Sequence, residues 1–179
     1  MTRRVPLVLL GFALLGVGAW YGWRSAANAG VAPGTPAPDF AGAVLGDPAH
    51  IKGIADYRGE VVVINLWATW CIPCVTEMPS IQRLYERYRD RGLRVVGIAV
   101  DDPPFADRVA GFVRERGVTF EILHEGSGKV ELDYQTRGIP ATYVVGRDGR
   151  LRMIRQGAAD WDSPAVHGVI EQLLAAPRP

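Results

Sequence analysis

Two cysteines in one short segment are the residues of this chain best suited to chemistry. Cys71 and Cys74 are the only cysteines among the 179 residues, and two residues separate them in the segment WATWCIPC. A Cys-x-x-Cys pair can form and open a disulfide bond by thiolate exchange. Because a chain of this length buries a sizeable core without disulfides, and because so small a loop gains little entropic stabilisation, we interpret the pair as redox-active.

The residues around the pair predict how it would react. The apolar, β-branched run at residues 61–66 precedes it and is typical of a strand buried on both faces. Apolar residues at helical spacing follow, so the pair opens a helix, whose N-terminus stabilises a thiolate through free N–H groups and a partial positive charge. We expect Cys71 to lie exposed at the cap and to attack, and Cys74 to lie more buried and to close the Cys71–Cys74 disulfide.

Two other interpretations of the pair remain, a purely structural disulfide and half of a zinc site. A zinc site normally needs four ligands, and the chain has no second cysteine pair. His50, His124 and His167 are scattered without ligand spacing, so we predict no metal and no cofactor beyond the redox-active disulfide. The acidic residues Asp101 and Asp102 follow a predicted strand and are interpreted as a solvated loop.

The order of the remaining patterns predicts an α/β fold. Strands are expected at residues 61–66, 93–100, 119–123, 141–145 and 151–154, and helices after the cysteines and at 105–116, 130–135 and 163–175. An Asp-Gly turn joins the last two strands. Strands that alternate with helices indicate a central mixed sheet flanked by helices.

The first 25 residues predict a membrane anchor or a cleaved signal segment. Residues 5–23 carry no charge, which is about the length that a helix needs to cross a bilayer, and Arg3 and Arg4 favour an N-terminus left in the cytoplasm. The sequence Ala27-Asn28-Ala29 also fits a signal-peptidase site. Both interpretations place the rest of the chain outside the cytoplasm. We expect an Ala/Gly/Pro linker at 26–37 and one domain at 38–179. The net charge of +1 does not indicate nucleic-acid binding.

Three segments resemble a known family. The segments PGTPAPDF, DYRGEVVVINLWATWC and RGIPATYVVGRDGRL are similar to those of membrane-anchored, thioredoxin-like thiol-disulfide oxidoreductases of the TlpA, ResA and CcmG (DsbE) type. The resemblance covers residues 32–174 and implies a thioredoxin-like fold. It also implies that Pro140 follows a cis peptide bond and faces the cysteines. The backbone of Ile139 is then free to pair with a substrate strand, and Trp70 offers partners an apolar surface.

The chain differs from ordinary thioredoxins in the acidic side chain that could accept a proton near the cysteines. Those proteins carry a buried aspartate six residues before the first cysteine, where this chain has Asn65, which cannot accept a proton. Glu77 lies three residues after Cys74, on the same face of the predicted helix. The reductive members of the family resemble this chain in both features. We therefore expect Glu77 to tune Cys74 and to relay its proton; the alternative is a solvated acid in the first turn.

The resemblance implies a protein-disulfide reductase that acts outside the cytoplasm during cytochrome c maturation. Its substrate would be oxidised apocytochrome c, its electron donor a membrane thiol transporter, and its oligomeric state a monomer. Three alternatives remain: a reductant for a copper-site respiratory protein, a disulfide-forming oxidase, and a non-catalytic chaperone that binds apocytochrome or haem. A peroxidase on the related fold normally needs a Pro-x-x-x-Thr-x-x-Cys pattern, which the chain lacks.

Overall fold

Seven strands form one sheet in the computed structural model, which describes residues 30–178. The strands are β1 (Gly42–Val44), β2 (Asp47–Lys52), β3 (Val61–Trp67), β4 (Leu93–Ala99), β5 (Glu121–His124), β6 (Ala141–Val145) and β7 (Leu151–Gln156). The helices are α1 (Ile72–Tyr88), α2 (Ala106–Glu115), α3 (Lys129–Asp133) and α4 (Pro164–Ala175). The predicted membrane segment lies outside the described residues. None of the helices between residues 30 and 178 is long and apolar enough to cross a bilayer.

The sheet is mixed, as predicted, and the fold is thioredoxin-like. Its strand order is β2-β1-β5-β4-β3-β6-β7, in which β3, β4 and β5 run parallel and the other neighbours pair antiparallel. The β1–β2 hairpin is absent from the predictions, because β1 has only three residues and β2 is a largely exposed edge strand. Neither strand carries the apolar alternation by which a sequence reveals a strand.

The central strand β3 separates two cores. All seven of its residues are buried, which explains the continuous apolar run in the sequence. Alternate side chains point to opposite faces, so Val61, Val63 and Trp67 pack with α1, α2 and α4, while the side chains between them pack on the other face with α3. Asn65 shares the parity of Val63 and Trp67, and its side chain therefore points toward α1.

The compact unit begins earlier than predicted. It starts at Val31, whereas the sequence placed a linker at 26–37 and the domain start at residue 38. The amide of Gly34 donates to the carbonyl of Leu151 at 2.7 Å, and the amide of Leu151 donates to the carbonyl of Thr35 at 2.9 Å. The Pro- and Gly-rich segment around Gly34 and Thr35 thus hydrogen-bonds to the start of β7. Local composition does not reveal this pairing.

Most predicted boundaries hold within a few residues. The sequence placed α4 at 163–175 with Ser163 as its cap, and the helix does begin at Pro164. However, the Ser163 side chain makes no capping hydrogen bond. Strand β7 extends to Gln156, beyond the predicted residue 154. This extension matters because the segment that follows β7 reaches the cysteine pair's edge of the sheet.

Candidate active site

The topology brings four chain segments to one edge of the sheet. Strands β3 and β4 run parallel with Trp67 opposite Ala99, so both end there. Strand β6 runs antiparallel to β3 with Ala141 opposite Leu66, so it begins at the same edge. Strand β7 pairs with β6 through Gln156 and Ala141, so it ends there too. The segments after β3, β4 and β7 and before β6 therefore converge on the cysteine pair.

Cys71 and Cys74 form a disulfide, with Cα atoms 5.3 Å apart. Cys71 is the N-cap residue of α1, and its Sγ accepts a hydrogen bond from the amide of Cys74 at 3.3 Å. Cys74 is 1% exposed, as expected for the resolving cysteine. The expectation that Cys71 lies exposed is wrong for this disulfide form, since it is only 5% exposed. Its amide donates to the carbonyl of Ala68, so the residues just before the helix form a tight turn.

The surface beside the disulfide is apolar. Trp70 is 64% exposed and Ile72 is 79% exposed, unusual values for such large apolar side chains. The peptide bond between Ile139 and Pro140 is cis, as the resemblance implied, and Ile139 is partly buried while Pro140 is buried. The structure thus places Trp70, Ile72 and Ile139 at the edge of the sheet that carries the disulfide.

A groove of about 340 Å³ extends this surface toward α2. Its walls come from the segment just before Cys71 and from one face of α2. The lining residues are Thr69, Trp70, Arg108, Gly111, Phe112 and Glu115. An extended polypeptide that presented a disulfide to Cys71 would find an apolar wall and two charged side chains here.

Glu77 is a buried acid that accepts hydrogen bonds from three donors. It is 4% exposed, so the alternative of a solvated first-turn acid is wrong. Its Oε1 accepts from the side-chain amide of Asn65 at 2.9 Å. Its Oε2 accepts from the amide of Ala159 at 3.0 Å and from the indole Nε1 of Trp161 at 3.3 Å. Burial raises the pKa of Glu77, and the three hydrogen bonds oppose that rise without cancelling it.

Asn65 connects Glu77 to the strand that follows the cis proline. Its Nδ2 donates to Glu77 and also to the hydroxyl of Thr142 at 2.8 Å. Its Oδ1 is buried and has no partner among the described residues. If the amide turned over, Oδ1 would accept from Thr142 and from any donor at position 77. A protonated Glu77, or a glutamine in its place, therefore fits this site.

The raised pKa of Glu77 predicts that the disulfide form loses stability as pH rises. Between the ordinary value of 4.5 and the higher folded-state pKa, the folded protein binds more protons than the unfolded chain, so the free energy of unfolding falls with pH. Glu77→Gln removes this term. In thermal melts, the Tm of Glu77→Gln minus the Tm of wild type should therefore become more positive as pH rises from 4.5. A constant difference, equal to that of the exposed control Glu86→Gln, would contradict the prediction.

Asp101 is buried beside the site, contrary to the predicted solvated loop. It is 1% exposed, whereas the neighbouring Asp102 is exposed. Its carboxylate accepts from the amide of Thr69 at 3.0 Å and from the Thr69 hydroxyl at 2.5 Å. Its carbonyl is 2.8 Å from Nε2 of His124. Asp101 thereby fixes the segment that leads into the cysteines. Its place after β4, the parallel neighbour of β3, was the available signal.

Removing the Asp101 carboxylate should lower the free energy of unfolding. Asp101→Ala removes the acceptor of two hydrogen bonds from the half-buried Thr69, and a hydrogen bond to a charged group contributes about 1.5–3 kcal/mol. We expect urea denaturation to show a loss of that order. The matched control Asp102→Ala, which removes an exposed carboxylate next to it, should change the free energy of unfolding by less than about 0.5 kcal/mol. Equal effects of the two substitutions would contradict the role of Asp101.

Within the described region, the acidic and histidine side chains do not group into a metal centre. No group of three or more His, Cys, Asp or Glu side chains within residues 30–178 is arranged to hold a metal ion. The predicted site residues Cys71, Cys74, Glu77 and Pro140 lie together at one edge. Trp161 and the amide of Ala159 were not predicted, because they come from a segment more than 80 residues away whose sequence carries no motif.

Comparison with known proteins identifies relatives with the same chemistry. The AhpC/TSA family model matches residues 33–154. The thiol-disulfide oxidoreductase ResA of Geobacillus kaustophilus is 32% identical over 88% of this chain and 87% of its own. ResA of Oceanobacillus iheyensis is 34% identical over 72% of this chain and 67% of its own. Among solved structures, a candidate thiol:disulfide interchange protein DsbE from Chlorobium tepidum superposes with a TM-score of 0.73, at 24% identity, covering 81% of this chain and 99% of its own.

These relatives agree with the geometry of the site. A cysteine pair at a helix N-terminus suits thiol-disulfide exchange, because the helix end favours the thiolate that attacks. The sequence match extends over most of this chain and most of the first relative. The chain therefore belongs to the AhpC/TSA family of thioredoxin-like proteins and is a thiol-disulfide oxidoreductase of the ResA type.

Proposed function

We propose that the protein is a membrane-anchored reductant that acts outside the cytoplasm and reduces disulfides in apocytochrome c. The observation that carries the dithiol mechanism is the buried Glu77 behind Cys74, where an acid can take up the proton that the resolving thiol must lose. The resemblance to the reductive members of the family supports the direction of electron flow. The resemblance to cytochrome c biogenesis proteins supports the substrate. The uncharged run at residues 5–23 supports the location.

The proposed reaction passes two electrons from the dithiol to a substrate disulfide. The Cys71 thiolate attacks one substrate sulfur, so a bond to Sγ of Cys71 forms, the substrate S–S bond breaks, and the departing sulfur takes a proton from water. Cys74 then gives its thiol proton to Glu77 and attacks Cys71. The Cys71–Cys74 bond forms, the mixed disulfide breaks, and the second substrate sulfur leaves as a thiolate and takes the proton from Glu77, which returns to its carboxylate form. The substrate is reduced and the protein is oxidised.

The residues around the disulfide each have a role in this reaction. The N-terminus of α1 stabilises the Cys71 thiolate with its free N–H groups and partial positive charge. The backbone beside Pro140 and the exposed Trp70 and Ile72 give the substrate chain a surface to lie on. Because the disulfide itself is nearly buried, the donor that reduces it must approach closely at this surface before exchange begins.

The cycle requires an electron donor. After one turnover the Cys71–Cys74 disulfide must be reduced again, and a compartment outside the cytoplasm supplies no reducing pool of its own. A membrane thiol transporter that carries electrons from the cytoplasm fits this need. An anchored domain would stay near both the transporter and the substrate.

The experiment that tests the substrate uses the reduced, full-length protein and two oxidised targets. One is apocytochrome c with its haem-binding cysteines joined, and the other is an oxidised copper-site domain of a respiratory oxidase. Free thiols released on each target are counted with time. Faster reduction of apocytochrome c supports the proposal. Preference for the copper-site domain, or no reduction of either, overturns it.

Location is tested in cells. The full chain should remain with the membrane after alkaline extraction, and its domain should be accessible to protease in spheroplasts. A variant without residues 1–25 should remain in the cytoplasm. A full-length chain found in the cytosolic fraction would contradict the proposed location.

A further inference from the structure

The segment between β7 and α4 supplies two of the three donors that reach Glu77. We propose that Trp161 is a positioning residue of the reaction: its indole N–H, together with the amide of Ala159, holds Glu77 as a carboxylate in the place where it receives the proton of Cys74. This inference rests on the proposed role of Glu77 and extends it to a residue far away in the chain.

The contacts of Trp161 favour one protonation form of its partner. The residue is 1% exposed, and its Nε1 lies 3.3 Å from Oε2 of Glu77. An indole N–H only donates, so it needs a lone pair on the oxygen that it meets. The amide of Ala159 is likewise only a donor, and it meets the same oxygen at 3.0 Å. Two donors on one oxygen stabilise the ionised carboxylate against the desolvation that burial imposes.

The loop that carries Trp161 is tied to the helix that carries Glu77. The amide of Trp161 donates to the hydroxyl of Ser80 at 3.1 Å, and that hydroxyl donates to the carbonyl of Glu77 at 2.7 Å. The next residue, Asp162, accepts from Nε of Arg83 at 2.7 Å. Both anchors lie on α1 within two turns of Glu77. The indole is therefore held against the carboxylate by the helix itself, whatever occupies the substrate surface.

Other charges have little part in this arrangement. Glu77 shares a face of its own helix with Cys74, and it meets neutral donors from β3 and from the loop. The loop's acidic residues are Asp160, which is exposed, and Asp162, which is paired with Arg83. Among the described residues, the groups that act on the pKa of Glu77 are Asn65, Ala159 and Trp161, together with burial.

The consequence concerns the second half of the reaction. Only ionised Glu77 can take the proton of Cys74, so the resolving step should follow the ionised fraction of Glu77. Loss of the indole donor favours the protonated acid. A hydrogen bond to a charged group is worth about 1.5 kcal/mol or more, which corresponds to about a tenfold change in the equilibrium. The resolving step should therefore slow about tenfold on the acidic limb of its pH profile.

The test compares two substitutions of the same type in the full chain. Trp161→Phe keeps an aromatic ring but removes the donor to Glu77. Trp67→Phe is the matched control, because Trp67 is fully buried and its Nε1 has no partner within residues 30–178. Glu77 is titrated by ¹³C NMR, and the resolving step is timed against pH. We expect Trp161→Phe to raise the Glu77 pKa and move the profile to higher pH, and Trp67→Phe to move neither.

A double substitution separates this inference from the proposed function. In a Glu77→Gln background, Trp161→Phe should no longer move the pH profile. A Glu77 titration that Trp161→Phe leaves unchanged overturns the inference, whatever the activity. If Glu77 titrates as expected while the wild-type protein fails to reduce apocytochrome c, the proposed substrate is wrong and the role of Trp161 stands.

A second variant keeps the test decisive if Trp161→Phe does not fold. Arg83→Gln removes the exposed guanidinium that ties Asp162 to α1 and leaves the indole in place. We expect a smaller rise of the Glu77 pKa in the same direction, because the loop is held less firmly. An unchanged Glu77 titration in a protein with native circular dichroism would count against the inference.

Discussion

Replacing Cys71 by serine should abolish disulfide reduction, whereas replacing Cys74 should trap the substrate. Cys71 caps α1 and in the proposed reaction supplies the attacking thiolate, and a serine hydroxyl at that position is not ionised at neutral pH. With Cys74→Ser the attack still occurs, but nothing resolves the mixed disulfide. Reduced protein of each variant would be mixed with oxidised apocytochrome c and resolved on a non-reducing gel. A covalent complex is expected for Cys74→Ser alone.

The control for this experiment is the variant in which both cysteines are serine. It keeps the fold and surface of the protein but has no thiol, so a non-catalytic chaperone would retain its binding activity in it. Trapping by Cys71→Ser rather than by Cys74→Ser would reverse the assigned roles of the two cysteines. Turnover by the double variant would contradict the redox account altogether.

Glu77→Gln should slow the resolving step by about a hundredfold, because general base catalysis by a positioned side chain contributes at least that much. The first attack by Cys71 should be much less affected, since it needs a thiolate and not a base. Stopped-flow measurements on a preformed mixed disulfide at Cys71 isolate the second step from the first. Glutamine fits the site once the Asn65 amide turns over, so the fold should be kept.

Glu86→Gln provides the control for Glu77→Gln. It removes an exposed carboxylate from the same helix and should leave both steps unchanged. An equal slowing of attack and resolution in Glu77→Gln would indicate that the carboxylate acts on the whole site and not as the base of the second step. An unchanged resolving rate would show that Cys74 loses its proton to another group.

Much of the site was predictable because many of its residues lie close together in the sequence. The strand at β3, the helix after it and the cysteines at their junction occupy one continuous segment, and periodicity, capping and spacing all act within such a segment. The same holds for Glu77, whose spacing from Cys74 on a helix places both on one face. The cis bond before Pro140 came from family resemblance, since a lone X-Pro sequence favours trans.

The parts that were missed depend on pairing between distant segments. From the sequence alone, Asp101 is indistinguishable from an ordinary acidic residue in a loop. It meets Thr69 because β4 ends beside β3 in the sheet. Trp161 and Ala159 reach Glu77 only because β7 returns to the same edge through β6. Cys71 is buried for a similar reason, because it belongs to a core cluster that includes residues far away in the sequence, such as Trp161 and Val166. Such contacts depend on topology and leave no periodic signal in the sequence.

The reduction potential of the Cys71–Cys74 couple in the full-length protein tests the central claim most directly. The couple would be equilibrated with dithiothreitol or glutathione buffers, and about 30 mV would correspond to about 1.4 kcal/mol for two electrons. A reductase is expected near the value of thioredoxin, about −270 mV. A value near that of a strong disulfide donor, about −120 mV, would contradict the account and make the protein an oxidase.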